Sequence, residues 1–271
     1  MAKKANGGLN TAFVADVRKR LADAQQLVQR AGDRSGYRVD GKLLTSVTHM
    51  LGILDKPALK YWAARTQQAA DQRAIEDWLA RKGAGSVADA LATVKDAFQS
   101  VGKAARDIGS EAHSVIEHLV MKQLGRLPKE AEPPAVSDIA SFVVSAHRRW
   151  AEQNEFMPLE VERVIFSVKH RAAGKLDMLA IVPKHPQLAG KFVIVDHKAS
   201  RDLYEEMILQ VNAYVGIFAE MLDLVPGEDV AGLLVRLPKE AGEPEQRVVE
   251  FDPVGFKATM ALGEMVRWRK R

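Results

Sequence analysis

The stretch Phe192-Val193-Ile194-Val195-Asp196-His197-Lys198 decides how the rest of the sequence is interpreted. Its first four residues are apolar and mostly β-branched, which is typical of a buried strand. Alternate side chains of a strand point to opposite faces, so Asp196 and Lys198 share one face and His197 lies on the other. A carboxylate and an ammonium group at the end of a buried strand are costly to desolvate without a partner. The stretch therefore predicts a functional site at this end of a β-sheet.

The run 177–182, just upstream, predicts a partner strand, because a loop rich in Pro and Gly joins it to the first stretch. In an antiparallel pair with Val182 opposite Lys191, Asp177 faces Asp196. Directly opposed residues have Cβ atoms about 4.5–5.5 Å apart, and two like charges at that separation destabilise a sheet unless a cation lies between them. The spacing predicts a divalent metal site with an ammonium group beside it.

A second Asp-x-Lys tripeptide, Asp40-Gly41-Lys42, serves as an internal control. No apolar strand precedes it, and Asp-Gly between two apolar segments is a strong hairpin signal. The sequence therefore predicts a hairpin over residues 37–44 and no chemistry at this second tripeptide.

Composition limits the kind of metal site. The 271 residues contain no cysteine, which excludes disulfides, thiolate zinc sites and cysteine-ligated iron–sulfur clusters. A metal would have to bind oxygen and imidazole ligands, which suit Mg²⁺ or Mn²⁺. The formal net charge is +4, with basic clusters at residues 18–20 and 267–271. Such clusters are compatible with nucleic-acid binding and equally typical of solvated helix ends.

The hydrophobic fraction of 47% allows one large domain or two small ones. No apolar run approaches the roughly 20 residues of a membrane span, and the N-terminus lacks the apolar stretch of a secretory signal. We therefore expect a cytoplasmic protein, in the host cytoplasm if a phage encodes it, that does not act in a membrane.

The hydrophobic periodicity predicts an α/β (α+β) fold, with a helical N-terminal half packed on a small mixed β-sheet core. The organisation expected is an N-terminal arm and helix over 1–35, then one domain over 36–271 with its helical part at 36–155 and its sheet core at 156–271. Predicted helices cover 11–31 (with Gly32 as the stop), 45–80 (interrupted at Pro57), 87–100, 103–125, 138–154, 202–222 and 253–268. Predicted strands cover 159–168, 175–182, 191–198, 230–237 and 246–251.

Three segments in order resemble the motifs of the PD-(D/E)XK nucleases, and more narrowly those of the RecB-like and phage-type exonuclease branch. They are Gly174-Lys175-Leu176-Asp177, Asp196-His197-Lys198-Ala199-Ser200 and Gln210-Val211-Asn212-Ala213-Tyr214. Upstream, Gly109 to His113, followed by Ile116-Glu117, is similar to the Gly-x-x-x-His helix of that branch. The segments 46–48, 54–59 and 62–64 resemble the N-terminal segment of phage-type members. The resemblance covers about residues 37–220 and implies a restriction-endonuclease-like sheet core.

The resemblance also implies roles for individual residues. His113, Asp177 and Asp196 would ligate Mg²⁺ or Mn²⁺, with the backbone carbonyl of His197 as a further ligand. Lys198 would position or activate the attacking water and stabilise charge on the phosphate. The set implies hydrolysis of phosphodiester bonds.

Three further residues match the family pattern less specifically. Gln210 and Tyr214, one helical turn apart, match a Gln-x-x-x-Tyr motif that backs the active site, or pack as ordinary helix residues. Glu162 matches an acidic position that supports the ligands or a second metal, or is an exposed strand acid. Lys175 and Ala199 stand where Thr is usual or common, and the absence of cysteine implies a member without an iron–sulfur cluster.

The function implied is a metal-dependent DNA exonuclease of recombination, repair or phage DNA processing, with DNA ends as its partner. The alternative is a non-catalytic DNA-end-binding or adaptor protein on a nuclease fold, and a sequence-specific endonuclease ranks third. The sequence leaves open the cleavage polarity, the preference for single or double strands, one or two metals, homo-oligomerisation, and a recombination or single-strand-binding partner.

Overall fold

A computed structural model describes residues 4–5, 8–31 and 36–269. The helices are α1 (Thr11–Gln26), α2 (Val47–Leu51), α3 (Pro57–Ala80), α4 (Val87–Ala92), α5 (Ala97–Gln123), α6 (Asp138–Gln153), α7 (Glu205–Leu222) and α8 (Pro253–Trp268). The strands are β1 (Lys4–Ala5), β2 (Gly8–Leu9), β3 (Val28–Arg30), β4 (Gly36–Val39), β5 (Lys42–Ser46), β6 (Met157–Ser167), β7 (Ala172–Ile181), β8 (Phe192–Lys198), β9 (Val230–Arg236) and β10 (Glu245–Val249). The mixture of helices with one large mixed sheet confirms the predicted α+β class.

The main sheet has the order β10-β9-β8-β7-β5-β4-β3, and β6 also pairs with β7. Strands β7 and β8 are antiparallel, with Leu179 opposite Ile194, which is the register predicted from the sequence. Continued by one position beyond the pair Met178–Val195, this register sets Asp177 opposite Asp196.

Strand β7 has different neighbours along its length. Its first two residues pair in parallel with β5, whereas residues 178–180 pair with β8. The end of β5 and the end of β8 therefore reach β7 at separate points, with Asp177 in the stretch between them. This arrangement leaves room at Asp177 for side chains from other elements.

Helix α7 connects β8 to its parallel neighbour β9 and packs on the sheet. Phe218 of α7 lies against Phe192, with ring centroids 6.4 Å apart. A Cβ added at Gly232 would come within 2.3 Å of the Val211 side chain, so the small residue of β9 allows the helix to approach closely. The approach brings the first turns of α7 close to the end of β8 that carries Asp196.

The N-terminal segment contributes strands that periodicity assigned to a helix. The helix predicted over 11–31 is wrong at its end, because α1 stops at Gln26 and Val28–Arg30 forms β3, an edge strand paired with β4. Gly32, the predicted stop, lies outside the described residues. The hairpin prediction is confirmed: β4 and β5 pair around Asp40 and Gly41, whose φ values are +49° and +72°.

The helical region is more broken than its periodicity suggested. The helix predicted over 87–100 is wrong, because α4 ends at Ala92 and α5 begins at Ala97. Nε2 of Gln67, on α3, donates a hydrogen bond to the carbonyl of Val94 (3.0 Å), and its Oε1 accepts one from the amide of Ala97 (2.9 Å). This side chain satisfies backbone groups of the break, which a periodicity argument does not detect.

The chain divides into two compact units, residues 54–110 and the remainder (Met1–Ile53 with Glu111–Arg271). The smaller unit holds α3, α4 and the first half of α5. The larger unit contains the whole sheet, α7 and α8. The domain boundary at residue 36 stays a prediction. No helix in the described ranges is long and apolar enough to cross a membrane.

Candidate functional site

Asp196 and Lys198 form a buried ion pair at the C-terminal end of β8. Asp196 is 2% exposed, and Nζ of Lys198 lies 2.6 Å from its Oδ2. Burial raises the pKa of Asp196 to about 6 despite the opposing charge of Lys198, and the charge of Asp177 adds to the rise. Burial alone would lower the pKa of Lys198, but the charges of Asp196 and Asp177 outweigh it and raise that pKa. Lys198 is therefore a cation held next to two carboxylates.

Asp177 lies beside this pair on β7. Its Oδ2 accepts a hydrogen bond of 3.1 Å from the backbone N–H of His197. The carboxylate thus continues the strand pairing by one side-chain bond, and the bond fixes its direction. The structure brings Asp177, Asp196 and Lys198 together, as the strand register led us to expect.

Helix α5 places His113 next to the backbone of His197. Nε2 of His113 is 3.0 Å from the carbonyl oxygen of His197, and its Nδ1 is 3.9 Å from Oδ2 of Asp177. Both the imidazole and the carbonyl were predicted as metal ligands, and they lie within hydrogen-bond distance of each other. The ring remains partly accessible, with 36% of the side chain exposed.

The donor types at the site, carboxylate and carbonyl oxygens with one imidazole, are those that Mg²⁺ and Mn²⁺ accept. Oδ2 of Asp196 is buried and lies against the Lys198 ammonium, 2.6 Å from Nζ. Lys198 balances one of the two carboxylate charges at the site, and a divalent cation would balance the other. Among the described residues, no three His, Asp or Glu side chains are grouped closely enough to hold an ion by themselves. An ion here would therefore need the His197 carbonyl as well as the side chains.

A chain of hydrogen bonds supports Lys198 from α7. Nζ of Lys198 donates to Oε1 of Gln210 at 3.3 Å, and Nε2 of Gln210 donates to the hydroxyl of Tyr214 at 2.9 Å. Tyr214 is buried, which raises its pKa, and its hydroxyl also interacts with the side chain of Thr48. Gln210 and Tyr214 thus reach the site through Lys198, and their role in catalysis stays a prediction.

Gly174 leaves space for this chain. A Cβ at position 174 would lie 2.3 Å from the ring of Tyr214, closer than non-bonded carbons can approach. The glycine of the Gly-Lys-Leu-Asp segment is therefore required by the tyrosine of a distant helix. A substitution of Gly174 by a larger residue, or of Tyr214, would therefore disturb the hydrogen bonds that hold Lys198.

Glu162 is held by a different partner. It lies on β6 between the pairs Val161–Met178 and Arg163–Leu176, which sets it opposite Asp177. Its φ is +57°, and its carboxylate forms an ion pair with Nζ of Lys175. Its role toward the ligands or a second metal stays a prediction.

The side chain of His197 points away from the carboxylates, as the strand alternation predicted. It is buried, with Nε2 3.2 Å from Nδ1 of His147 and its ring 5.5 Å from that of Trp150. Burial lowers the pKa of His147 to about 4, and that of His197 well below its ordinary value. His147 was not among the residues predicted for the site. Its signal was the shared helical face of His147 and Trp150 on α6.

Thr48 was also missed as a site residue. It lies on α2, which follows β5, and it lines an open pocket of about 340 Å³. The pocket is bordered by Ser46, Thr48, His49, Gly52 and Ile53. Thr48 is connected to Lys198 by hydrogen bonds through Tyr214 and Gln210. A larger groove of about 580 Å³, between α1, β6 and the end of α7, contains none of the residues named for the site.

Comparison with protein-family models finds no matching family, and comparison with curated proteins finds no match. Among solved structures, the protein SSO0001 has a TM-score of 0.35 at 10% identity, with 96% of this chain and 86% of that chain covered. A protein from Eubacterium rectale, provisionally named an exonuclease, has a TM-score of 0.34 at 16% identity over 61% of this chain and 65% of that chain. Both TM-scores are too low for either similarity to support an argument about this chain.

Proposed function

We propose that this chain is a Mg²⁺- or Mn²⁺-dependent DNA nuclease, more specifically an exonuclease acting from DNA ends in recombination, repair or phage DNA processing. One observation carries the proposal. Two carboxylates and a lysine converge at the β7–β8 end, where Asp196 is 2% exposed and Asp177 accepts a hydrogen bond from the His197 N–H. The two carboxylates carry one negative charge more than Lys198 balances, and a bound metal cation would offset it.

The residues of the site have separate tasks in this proposal. Asp177, Asp196 and the His197 carbonyl hold the cation, with His113 beside them. A divalent cation bound there would polarise the scissile phosphate and offset its negative charge. Lys198, kept protonated by its two acidic neighbours, orients the attacking water and stabilises the charge that builds on the phosphate oxygens.

Gln210 and Tyr214 have a positioning role. A lysine side chain has several rotatable bonds, and its ammonium group must be placed to within a fraction of an ångström for efficient catalysis. The hydrogen bond to Gln210, itself oriented by Tyr214, restricts that freedom. The preference for an exonuclease over an endonuclease rests on the family resemblance alone.

A non-catalytic DNA-end-binding protein is the rival function. One observation favours it: Lys198 lies against Oδ2 of Asp196, as it would in an inert ion pair. The two functions differ in what happens to the DNA after binding, so a cleavage assay separates them.

The test uses the purified full chain with Mn²⁺ and end-labelled linear duplex, linear single strands and closed circular DNA. We expect loss of label from a linear substrate, no cleavage of the circle, and no cleavage by the Asp196→Asn variant. Binding of linear DNA without any cleavage would establish the rival. Cleavage of the closed circle would show an endonuclease instead.

A further inference from the structure

Two arginines outside the proposed active site lie together without an acidic partner. Nη1 of Arg267, in the last turn of α8, donates to Oγ1 of Thr45 (3.4 Å) and to the carbonyl of Arg171 (3.3 Å). Nη2 of Arg171 donates to the carbonyl of Leu43 (3.4 Å). In the described part of the chain, neither guanidinium forms an ion pair with a carboxylate, and the acid that acts on Arg267, Glu264, does so only at longer range.

This pair is unfavourable unless an anion is present. Burial and the neighbouring charge of Arg171 lower the pKa of Arg267, which means that the two cations repel each other. Arginine at a helix C-terminus is often explained by the helix dipole, but Arg267 donates to β5 and to the residue before β7 instead of to the carbonyls of α8. The fold thus holds two like charges in one place.

Arg171 ends the turn between β6 and β7, where its N–H donates to the carbonyl of Val168 (3.3 Å). Its φ is +50°, a left-handed conformation that costs a residue with a Cβ about 1 kcal/mol or more and that favours Gly or Asn. The turn fixes this conformation, so replacement of Arg171 by glycine removes the side chain without disturbing the backbone.

The residues that follow Arg267 have the composition of a nucleic-acid contact. Trp268 is 73% exposed, and Arg269 is exposed beside it. An exposed indole among arginines offers a face on which a base can stack while the cations meet phosphates. We name the four residues Arg171, Arg267, Trp268 and Arg269 the basic corner.

Contacts connect the basic corner to the proposed active site. Arg267 donates a hydrogen bond to Thr45 on β5. Three residues further along the chain, Thr48 interacts with Tyr214, which is hydrogen-bonded through Gln210 to Lys198. Arg171 immediately precedes β7, and Asp177 lies six residues further along it, a distance of about 20 Å in a strand. A nucleic-acid strand of a few nucleotides spans that distance.

We propose that the basic corner binds the phosphate backbone of the DNA substrate at a point several nucleotides from the scissile bond, with Trp268 stacking on a base of a single-stranded segment. The proposal rests on the proposed function for the identity of the polyanion. The corner contributes affinity and no chemistry, so its loss should weaken binding at every sequence alike.

The experiment measures binding of a fluorescent 30-nucleotide single strand and of a duplex of equal length, without divalent metal, over a range of KCl concentrations. Each arginine that meets a phosphate contributes about 0.9 to the slope of log K against log salt for a duplex and about 0.7 for a single strand. We expect Arg171→Gly and Arg267→Gln each to lower the slope by about that amount. Trp268→Ala should weaken single-strand binding about tenfold and leave the slope unchanged.

Arg73→Gln is the matched control, because Arg73 is an exposed arginine of α3 in the smaller unit. If this control lowers the slope as much as the corner variants do, the effect is one of overall charge and the corner is not a site. Arg171→Gly relieves the positive φ, so a stable fold is expected, and circular dichroism checks it for every variant.

Failure of the corner and failure of the proposed function give different results. A wild-type protein that cleaves DNA, with corner variants whose affinity and slope are unchanged, overturns the corner alone. Salt-dependent DNA binding that the corner variants weaken, in a protein that cleaves nothing, overturns the nuclease activity and supports the corner. A wild-type protein that binds no DNA overturns both.

Discussion

The chain contains Asp-x-Lys twice, and the two copies lie in different environments. Asp40-Gly41-Lys42 forms the exposed turn of the β4–β5 hairpin. Asp196-His197-Lys198 ends a buried strand, where Asp196 is 2% exposed and ion-paired with Lys198. The spacing of the tripeptide is the same, so spacing alone does not make a site. The preceding residues decide, because four apolar residues require a buried strand and Asp-Gly requires a turn.

The difference between the two copies is one of solvation. In the turn, both charged side chains are hydrated, and the backbone determines which residues are tolerated. At the strand end, the charges are removed from water, so each must be balanced by a neighbour. Matched substitutions in the two tripeptides therefore separate the contribution of environment from that of residue type.

The largest difference is expected for the aspartates. Asp196→Asn should lower the rate of Mn²⁺-dependent cleavage by about 10³-fold or more, because it removes a charged metal ligand and weakens the cation's electrostatic effect on the phosphate. Asp40→Asn should leave the rate unchanged, since Asn adopts a positive φ readily. Single-turnover cleavage of linear DNA measures both. Equal rates for Asp196→Asn and the wild type would contradict the proposed role.

The lysines should differ next. Lys198→Ala is expected to slow cleavage by about 10²- to 10³-fold, while DNA affinity changes little, because the lysine acts on the reacting phosphate. Lys42→Ala should alter neither quantity. A parallel loss of affinity and rate in Lys198→Ala would assign the lysine to binding instead of catalysis.

A smaller effect is expected from pH in the metal-free protein. The pKa of Asp196 is raised by burial to about 6 in the folded state, from 3.8, so the folded state binds a proton that the unfolded state has released between those values. Folding stability should therefore fall as pH rises from about 4 to about 6.

The comparison is thermal unfolding of the wild type and of Asp196→Asn between pH 4 and pH 7. The stability of the wild type relative to the variant should decrease across that window and recover when Mn²⁺ is added. Curves for the two proteins that stay parallel at all pH values would show that Asp196 does not titrate there.

The smallest contrast concerns the middle residues. His197→Ala should lower the free energy of unfolding by about 2 kcal/mol or more, because it leaves a cavity beside His147 and Trp150, yet slow cleavage less than tenfold, since its carbonyl remains. Gly41→Ala should cost about 1 kcal/mol through its positive φ alone. Urea unfolding measures both. A loss of activity as large as that of Asp196→Asn would contradict the orientation of His197.

Local patterns were sufficient for much of the site. The alternation in β8 separated Lys198 from His197, and the loop before Lys191 set the register of β7 and β8, which the structure confirms. Helix α8 begins and ends where its periodicity and Pro253 predicted. These features depend on residues close in sequence, so a pattern argument can determine them.

Features formed by segments that are distant in sequence could not be predicted from local patterns. The helix predicted over residues 11–31 failed at Val28, because pairing with β4 outweighs the helical preference of the last turn. The partnership of His147 with His197 joins residues 50 positions apart. No sequence feature near His147 or His197 indicates that these two side chains lie in contact.

By itself the sequence determined where β6 to β10 lie, which faces Asp196, His197 and Lys198 take, and that any metal must bind oxygen or imidazole, since these follow from chain geometry and composition. Only the tertiary structure decided which distant groups meet around these charges: His147 against the His197 ring, the Asp177 carboxylate on the His197 N–H, and Arg267 against β5. The physical reason is burial. Removing a charge from water makes its energy depend on every neighbour within a few ångströms, and those neighbours come from all parts of the chain.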